Sequence, residues 1–338
     1  MKNKPTIVFY EIENWEKPIL KKAFPHSVVK FSADPLTEKS VIEARWEKAT
    51  IISPFIYSSV SAEVLRALHH LDMIATRSTG FDHIDTEFCK KHSIAVSNVP
   101  TYGENTVAEH TFALILSLSR KIFQSYERTE KFTFDTDGLR GFDLKDKTLG
   151  IIGCGNIGKH VARMAQGFEM NVVIADPYIK NTAVKKLHAK TVPLSKLLAT
   201  SDIITLHAPY SPKTHHLLNK KNIKTIKKGA FLINTSRGGL VDTSALVWAL
   251  NKKILAGAGL DVLEEECVVK EESQILSKNW PKECNLQTVL ENHMLVKRDD
   301  VIITPHNAFN STEALERILH TTIENIQAFL KGRPQNRV

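Results

Sequence analysis

Thr148-Leu149-Gly150-Ile151-Ile152-Gly153-Cys154-Gly155-Asn156-Ile157-Gly158 runs from an apolar stretch straight into a Gly-x-Gly-x-x-Gly turn, and Asp176 stands eighteen residues beyond the last glycine. The turn alone says little. Its surroundings say more: an amphipathic pattern (Ile157, Val161, Met164, Ala165, Phe168) follows, and a second apolar run, Val172-Val173-Ile174-Ala175, delivers the acid. Strand, glycine turn, helix, strand and acid in that order predict a dinucleotide site. Gly153 allows the tight turn, Gly155 lets backbone approach a pyrophosphate, and Gly158 lets the helix pack against the sheet. Asn156 and Ile157 open that helix, whose first N–H groups and positive dipole end suit an anion. Asp176 can accept the adenosine ribose hydroxyls. A 2′-phosphate there would face a carboxylate, and Pro177-Tyr178-Ile179 offer no arginine to neutralise it. The expected cofactor is therefore NAD rather than NADP. The competing reading is a glycine-rich turn with no ligand.

On the C-terminal side the pattern continues. Apolar runs at 203–206, 229–234, 256–260 and 301–304 read as strands buried on both faces. They end at His207-Ala208-Pro209, at Thr235-Ser236-Arg237, at Asp261 and at Pro305-His306. Ligands of an open α/β sheet bind outside the carboxyl ends of its strands, so these residues form the expected cofactor rim. On the N-terminal side, 6–10, 28–31, 50–53, 73–76 and 94–97 read as strands. Helical patterns lie between them around 15–24, 37–46, 61–68 and 85–92, giving a second parallel α/β unit without a glycine fingerprint. One long helix is expected from Glu104 to about Glu127, and a last one over 311–331. The segment 267–300 is mixed and charged, and reads as a surface excursion with one or two short helices.

At 338 residues the chain has the length of two ordinary domains. Its net charge of +8 comes from lysines scattered or paired on helix faces, with no basic stripe interleaved with aromatics, so no nucleic-acid partner is expected. The four cysteines (Cys89, Cys154, Cys267, Cys284) show no metal or disulfide spacing, which points to a reducing compartment and no metal. Met1-Lys2-Asn3-Lys4-Pro5 leads into a strand without a signal-peptide pattern. The expectation is a cytoplasmic protein with no membrane partner.

Further motifs lie along the chain in a fixed order: Arg77-Ser78-Thr79-Gly80-Phe81-Asp82, Pro100-Thr101-Tyr102, Val107-Ala108-Glu109-His110-Thr111, the fingerprint, Leu206-His207-Ala208-Pro209, Asn234-Thr235-Ser236-Arg237-Gly238-Gly239, Gly259-Leu260-Asp261 and Thr304-Pro305-His306. The ordered set resembles the D-isomer-specific 2-hydroxyacid dehydrogenase family, and within it the D-lactate dehydrogenase branch, over nearly the whole chain from Arg77. The resemblance implies two doubly wound parallel-sheet domains. A Rossmann NAD-binding domain (104–306) is inserted into a flavodoxin-like catalytic domain (1–103 and 307–338), with a homodimer formed through the former.

The resemblance also implies a triad of Arg237, Glu266 and His306. Glu264-Glu265-Glu266 offers three acids, and the family's glutamate stands five positions after the aspartate of Gly-Leu-Asp, which selects Glu266. Pattern alone does not separate His207 from His306, since both end a strand; family position assigns the chemistry to His306. By the same route the backbone of Thr79 and Gly80, with Tyr102 and Phe309, becomes the expected substrate contact. The function implied is reversible reduction of pyruvate to D-lactate by NADH. Alternatives are a reductase of glyoxylate, hydroxypyruvate or a bulkier 2-keto acid, and an NAD-sensing corepressor. A formate dehydrogenase is disfavoured, because those relatives carry glutamine at the Glu266 position.

Overall fold

The apolar runs fold into parallel strands with helices on both faces. β1 (Thr6–Phe9), β2 (Val28–Phe31), β3 (Ile51–Ser53), β4 (Met73–Ala75) and β5 (Ala95–Ser97) form a sheet in the order β2-β1-β3-β4-β5. A seven-stranded sheet holds β6 (Thr148–Ile152), β7 (Asn171–Ala175), β8 (Lys190–Thr191), β9 (Ile203–Leu206), β10 (Ala230–Asn234), β11 (Leu255–Leu260) and β12 (Val301–Ile303). Its order is β12-β11-β10-β9-β6-β7-β8. The first order is that of flavodoxin-like sheets. The second is the dinucleotide-binding order with one strand added. The computed structural model describes residues 4–44, 46–265 and 285–338, with the backbone alone at 42–44. The chain divides into two units, Met1–Tyr102 with Ser311–Val338, and Gly103–Asn310.

In the first unit, alternate residues of each strand face opposite layers. Val8, Ile52 and Ile74 pack with Val64, Leu65 and Leu68 on one side. Ile7, Phe9, Ile51 and Met73 pack on the other with Leu20, Leu319, Ile323 and Ile326. The helix Thr312–Leu330 thus closes one face of the five-stranded sheet, a placement that sequence pattern could not supply.

In the second unit both faces of the sheet are likewise covered, one by Leu197, Leu246 and Leu250, the other by Phe112, Ile115, Val161 and Ala165. One expectation needs correction there, one strand was not foreseen, and one expected short helix is present. The long helix is two, Glu104–Arg120 and Ile122–Glu130, broken at Lys121, which adopts a left-handed φ of 52°. The Lys121 N–H turns back onto Ser117 and Leu118, and the carbonyl of Ser119 accepts the N–H of Phe142 from a returning loop. Apolar spacing continues across the break, so periodicity does not reveal it. The edge strand β8, Lys190–Thr191, is too short and polar to register as a strand pattern. In the 267–300 segment, the helix Leu286–Val296 is set by the Asn285 side chain, which accepts the N–H groups of Gln287 and Thr288.

Candidate active site

β6 ends at Ile152 and the chain reverses through Gly153 at φ +85°. A Cβ there would lie 2.5 Å from the Ala208 nitrogen and 2.7 Å from the His207 carbonyl carbon, so glycine is required by the protein itself. Gly158 is fixed in the same way, 2.5 Å from the Gly153 oxygen. Gly155 differs: a Cβ there would meet nothing within 4 Å. No protein contact explains that glycine, and the open space borders the first turn of the helix Asn156–Gly167. The arrangement fits a pyrophosphate approaching the backbone.

Asp176 follows β7, and its position is set on both sides. One carboxylate oxygen accepts the Cys154 N–H at 2.7 Å and the other the Tyr178 N–H at 2.7 Å. The acid is therefore held beside the glycine turn by bonds to both of its oxygens. Gly153→Ala should lower folding stability by more than about 2 kcal/mol, through strain at positive φ and backbone collision. Gly155→Ala should fold nearly as well as the wild type yet raise the NADH Kd roughly tenfold. Thermal melts with fluorescence titrations of NADH and NADPH read both. Unchanged NADH binding in Gly155→Ala would show that this turn does not hold a dinucleotide.

Among the rim residues, Ala208 and Thr235 are buried, while Pro209 is exposed. Ser236 donates to the Ala208 carbonyl at 2.7 Å, tying the ends of β9 and β10 together. The Thr235 hydroxyl meets that of Thr111 at 3.0 Å. His207 bonds the Thr205 hydroxyl through Nε2 at 2.9 Å, and its Nδ1 is shut off from solvent without a partner. Burial pushes this imidazole down to about 3, so it stays neutral at physiological pH. A neutral ring cannot serve as the acid of a reduction.

Arg237 lies three residues beyond the end of β10. It adopts extended geometry and caps a 3₁₀ turn, Gly238–Leu240; the α-helix begins at Thr243, behind Asp242. Buried Asn234 grips both sides of the loop, accepting the Ser236 N–H at 3.1 Å and donating to the Arg237 carbonyl at 2.9 Å. A Cβ at Gly238 would lie 2.0 Å from the backbone of Leu263. The backbone just after Arg237 thus packs against the segment that leads to the three glutamates.

His306 sits at a left-handed φ of 50° just after β12. Its loop is held from below by Asp261, which is 1% exposed. One Asp261 oxygen accepts the Thr304 hydroxyl at 2.5 Å and the Asn307 N–H at 3.0 Å, while the other accepts the Ala308 N–H at 2.9 Å. His110, from the helix Glu104–Arg120, reaches the same group, with Nε2 3.0 Å from the Thr304 hydroxyl and 3.4 Å from Asp261. Sequence reasoning placed Asp261 on the cofactor rim; in the structure its carboxylate is committed to the loop that carries His306. Asn234 and His110 were missed, because a polar residue at a strand end or on a helix carries no mark of what it will grip. Asn307, with its buried Oδ1 unpartnered, was missed for the same reason.

Glu264 bonds His216 at 2.5 Å and accepts the N–H and hydroxyl of Thr243. Glu265 accepts the Asn285 N–H at 2.5 Å. Glu266 lies outside the described residues.

The expected substrate contacts Thr79, Gly80 and Tyr102 belong to the first unit, and Phe309, half-buried, to the second. Thr79 and Gly80 follow β4, and their N–H groups donate to nothing among the described residues. Buried Arg77 anchors this loop, bonding Glu16 at 2.6 Å and the carbonyls of Tyr10 and Glu11 at 2.6 and 2.8 Å. The Tyr102 carbonyl is held by Arg317 at 2.5 Å. No described helix is long and apolar enough to cross a membrane.

Residues 112–308 match the family model for the NAD-binding domain of D-isomer specific 2-hydroxyacid dehydrogenases. The chain is 35% identical to D-lactate dehydrogenase of Escherichia coli over 302 residues, 88% of each chain. It is 34% identical to glyoxylate reductase of Thermococcus litoralis over 338 residues, 98% of this chain and 91% of the relative. Among solved structures it resembles D-lactate dehydrogenase from Aquifex aeolicus complexed with NAD and lactic acid. That match has a TM-score of 0.84 and 36% identity, covering 97% of this chain and 96% of that one.

Proposed function

Because the chain belongs to the D-isomer specific 2-hydroxyacid dehydrogenase family, we propose that this NAD-dependent enzyme interconverts pyruvate and D-lactate, with Arg237, Glu266 and His306 as its catalytic groups. The observation that supports the reading is that the loops carrying Arg237 after β10 and His306 after β12 are each held by a buried polar side chain, in the unit that bears the dinucleotide turn. Bound NADH supplies the hydride for the substrate's carbonyl carbon. Arg237 holds the carboxylate with its fixed fork of donors and polarises the adjacent carbonyl. His306 gives a proton to the carbonyl oxygen in reduction and removes it in oxidation. Asp261, by clamping Thr304, Asn307 and Ala308, keeps the imidazole in place. Glu266 is the acid assigned to support the imidazolium; its neighbours Glu264 and Glu265 are already engaged elsewhere. Thr79 and Gly80, in the substrate domain formed by Met1–Tyr102 and Ser311–Val338, offer N–H groups to the carboxylate.

Substrate size rests on Phe309 and Tyr102. A phenyl ring beside the substrate methyl favours pyruvate over longer acids. Phe309→Ala should let 2-ketobutyrate and phenylpyruvate gain on pyruvate, by at most about 1 kcal/mol per accommodated methylene. Tyr102→Phe should raise KM for every 2-keto acid alike. NADH oxidation across a panel of pyruvate, glyoxylate, hydroxypyruvate and phenylpyruvate tests the assignment. A wild type that prefers another member of the panel overturns pyruvate while leaving the dehydrogenase intact, and turnover of none favours the NAD-sensing alternative.

The assembly we propose is a homodimer formed through the NAD-binding domain, in a cytoplasmic protein. Its support is a run of exposed apolar side chains around the helix Ile122–Glu130: Ile122, Phe123, Tyr126, Phe132 and Phe134, the last two 89% and 77% exposed. Patches of this kind mark protein contacts. Light scattering should give twice the 38.0 kDa chain mass, and the double change Phe132→Glu, Phe134→Glu should halve it. A monomeric wild type contradicts the dimer.

A further inference from the structure

We propose that Asn98, Asn325 and Asn336 are positioning residues for the substrate carboxylate: three side-chain amides in series that fix the peptide between Thr79 and Gly80. The inference rests on the reading that this loop's N–H groups receive the carboxylate.

The series starts at the 335–338 segment, which lies along β5. Ser97 bridges Arg337 in antiparallel fashion, the Ser97 hydroxyl donates to the Gln335 carbonyl at 2.8 Å, and the Val338 N–H donates to Val96 at 3.1 Å. Asn336 sits at φ 49°, a left-handed conformation that asparagine tolerates better than most residues. Its side-chain amide donates to Asn325 Oδ1 at 2.8 Å. Asn325, fully buried on the helix Thr312–Leu330, donates to the Asn98 carbonyl at 2.8 Å. Asn98, 8% exposed, has its own N–H held by the Asn336 carbonyl at 3.0 Å and donates its side-chain amide to the Thr79 carbonyl at 2.7 Å.

The direction of every bond is fixed by chemistry. Backbone carbonyls only accept, so the Asn98 and Asn325 amide nitrogens must face Thr79 and Asn98 respectively. That leaves the Asn325 oxygen for Asn336, which must donate. No member can flip without placing oxygen against oxygen.

The link to substrate is the planarity of the peptide bond. The Thr79 carbonyl and the Gly80 N–H belong to one trans peptide and point in opposite directions. Holding the carbonyl therefore aims the N–H. The Thr79 hydroxyl adds a second tether, donating to the Val99 carbonyl at 2.7 Å. A loop with an exposed threonine and a glycine would otherwise sample many orientations, and the ordering cost would fall on substrate binding.

Asn98→Asp is isosteric and replaces the donor facing Thr79 with an acceptor. It should raise the pyruvate KM about five- to tenfold, the effect of losing one such bond, with kcat and the NADH Kd within about twofold of wild type. Hydrogen–deuterium exchange of peptides spanning 78–81 should speed up. Asn336→Asp, at the half-buried outer end of the series, should do the same more weakly, and it serves as the test if Asn98→Asp fails to fold. Unchanged exchange at 78–81 overturns the amide series, whatever KM does. Faster exchange with a wild-type KM overturns the carboxylate role of the loop, and the positioning role falls with it.

Discussion

His306→Gln should bind NADH as the wild type does and reduce pyruvate about 10²- to 10⁴-fold more slowly, with most of the loss in kcat, because positioned proton transfer contributes on that order. The glutamine keeps the loop geometry, since the Asp261 bonds go to Thr304 and to the N–H groups of Asn307 and Ala308. The acid behind the histidine is tested in the same assay by pH. Reduction needs the imidazolium, and a neighbouring carboxylate stabilises that charged form. Glu266→Gln should therefore make reduction fall off at lower pH than in the wild type. Glu264→Gln should leave the profile in place, since that carboxylate serves His216 and Thr243. A shift caused by Glu264→Gln or Glu265→Gln, and not by Glu266→Gln, would mean that the five-residue offset selects the wrong acid.

Arg237→Gln should cost about 3–4 kcal/mol in kcat/KM, roughly 10²- to 10³-fold, from two charge-assisted bonds to the substrate carboxylate. Arg237→Lys should recover part of this, because an ammonium keeps the charge but not the planar fork. NADH affinity should change far less than the pyruvate KM in both variants. Pre-steady-state titration with NADH, beside steady-state rates over a pyruvate series, separates the two. An equal loss in NADH binding would place Arg237 on the cofactor rather than on the substrate.

Much of the molecule was legible from sequence because its signals are local. Buried parallel strands read as apolar runs, and Gly153 and Gly158 read as turn glycines because only glycine fits within 3 Å of backbone. Other features are long-range or lack a pattern. The break at Lys121 depends on a loop returning to Ser119, which helical periodicity does not record. Asp261 reads as a strand-end acid, and only the folded chain shows its oxygens gripping residues more than forty positions away. Asn336 and Asn98 are adjacent in space and far apart in sequence, so no motif joins them. The choice among Glu264, Glu265 and Glu266 came from the family offset. The structure contributes the partners of the first two.

The central claim is that Arg237 and His306 carry D-specific hydride chemistry on a 2-hydroxy acid with NAD. Its most direct test is the appearance of NADH at 340 nm when the enzyme and NAD are given D-lactate and L-lactate separately. D-lactate should be turned over and L-lactate should not, and the D-lactate rate should be lost in His306→Gln. Turnover of L-lactate, or D-lactate oxidation that survives His306→Gln unchanged, would contradict it.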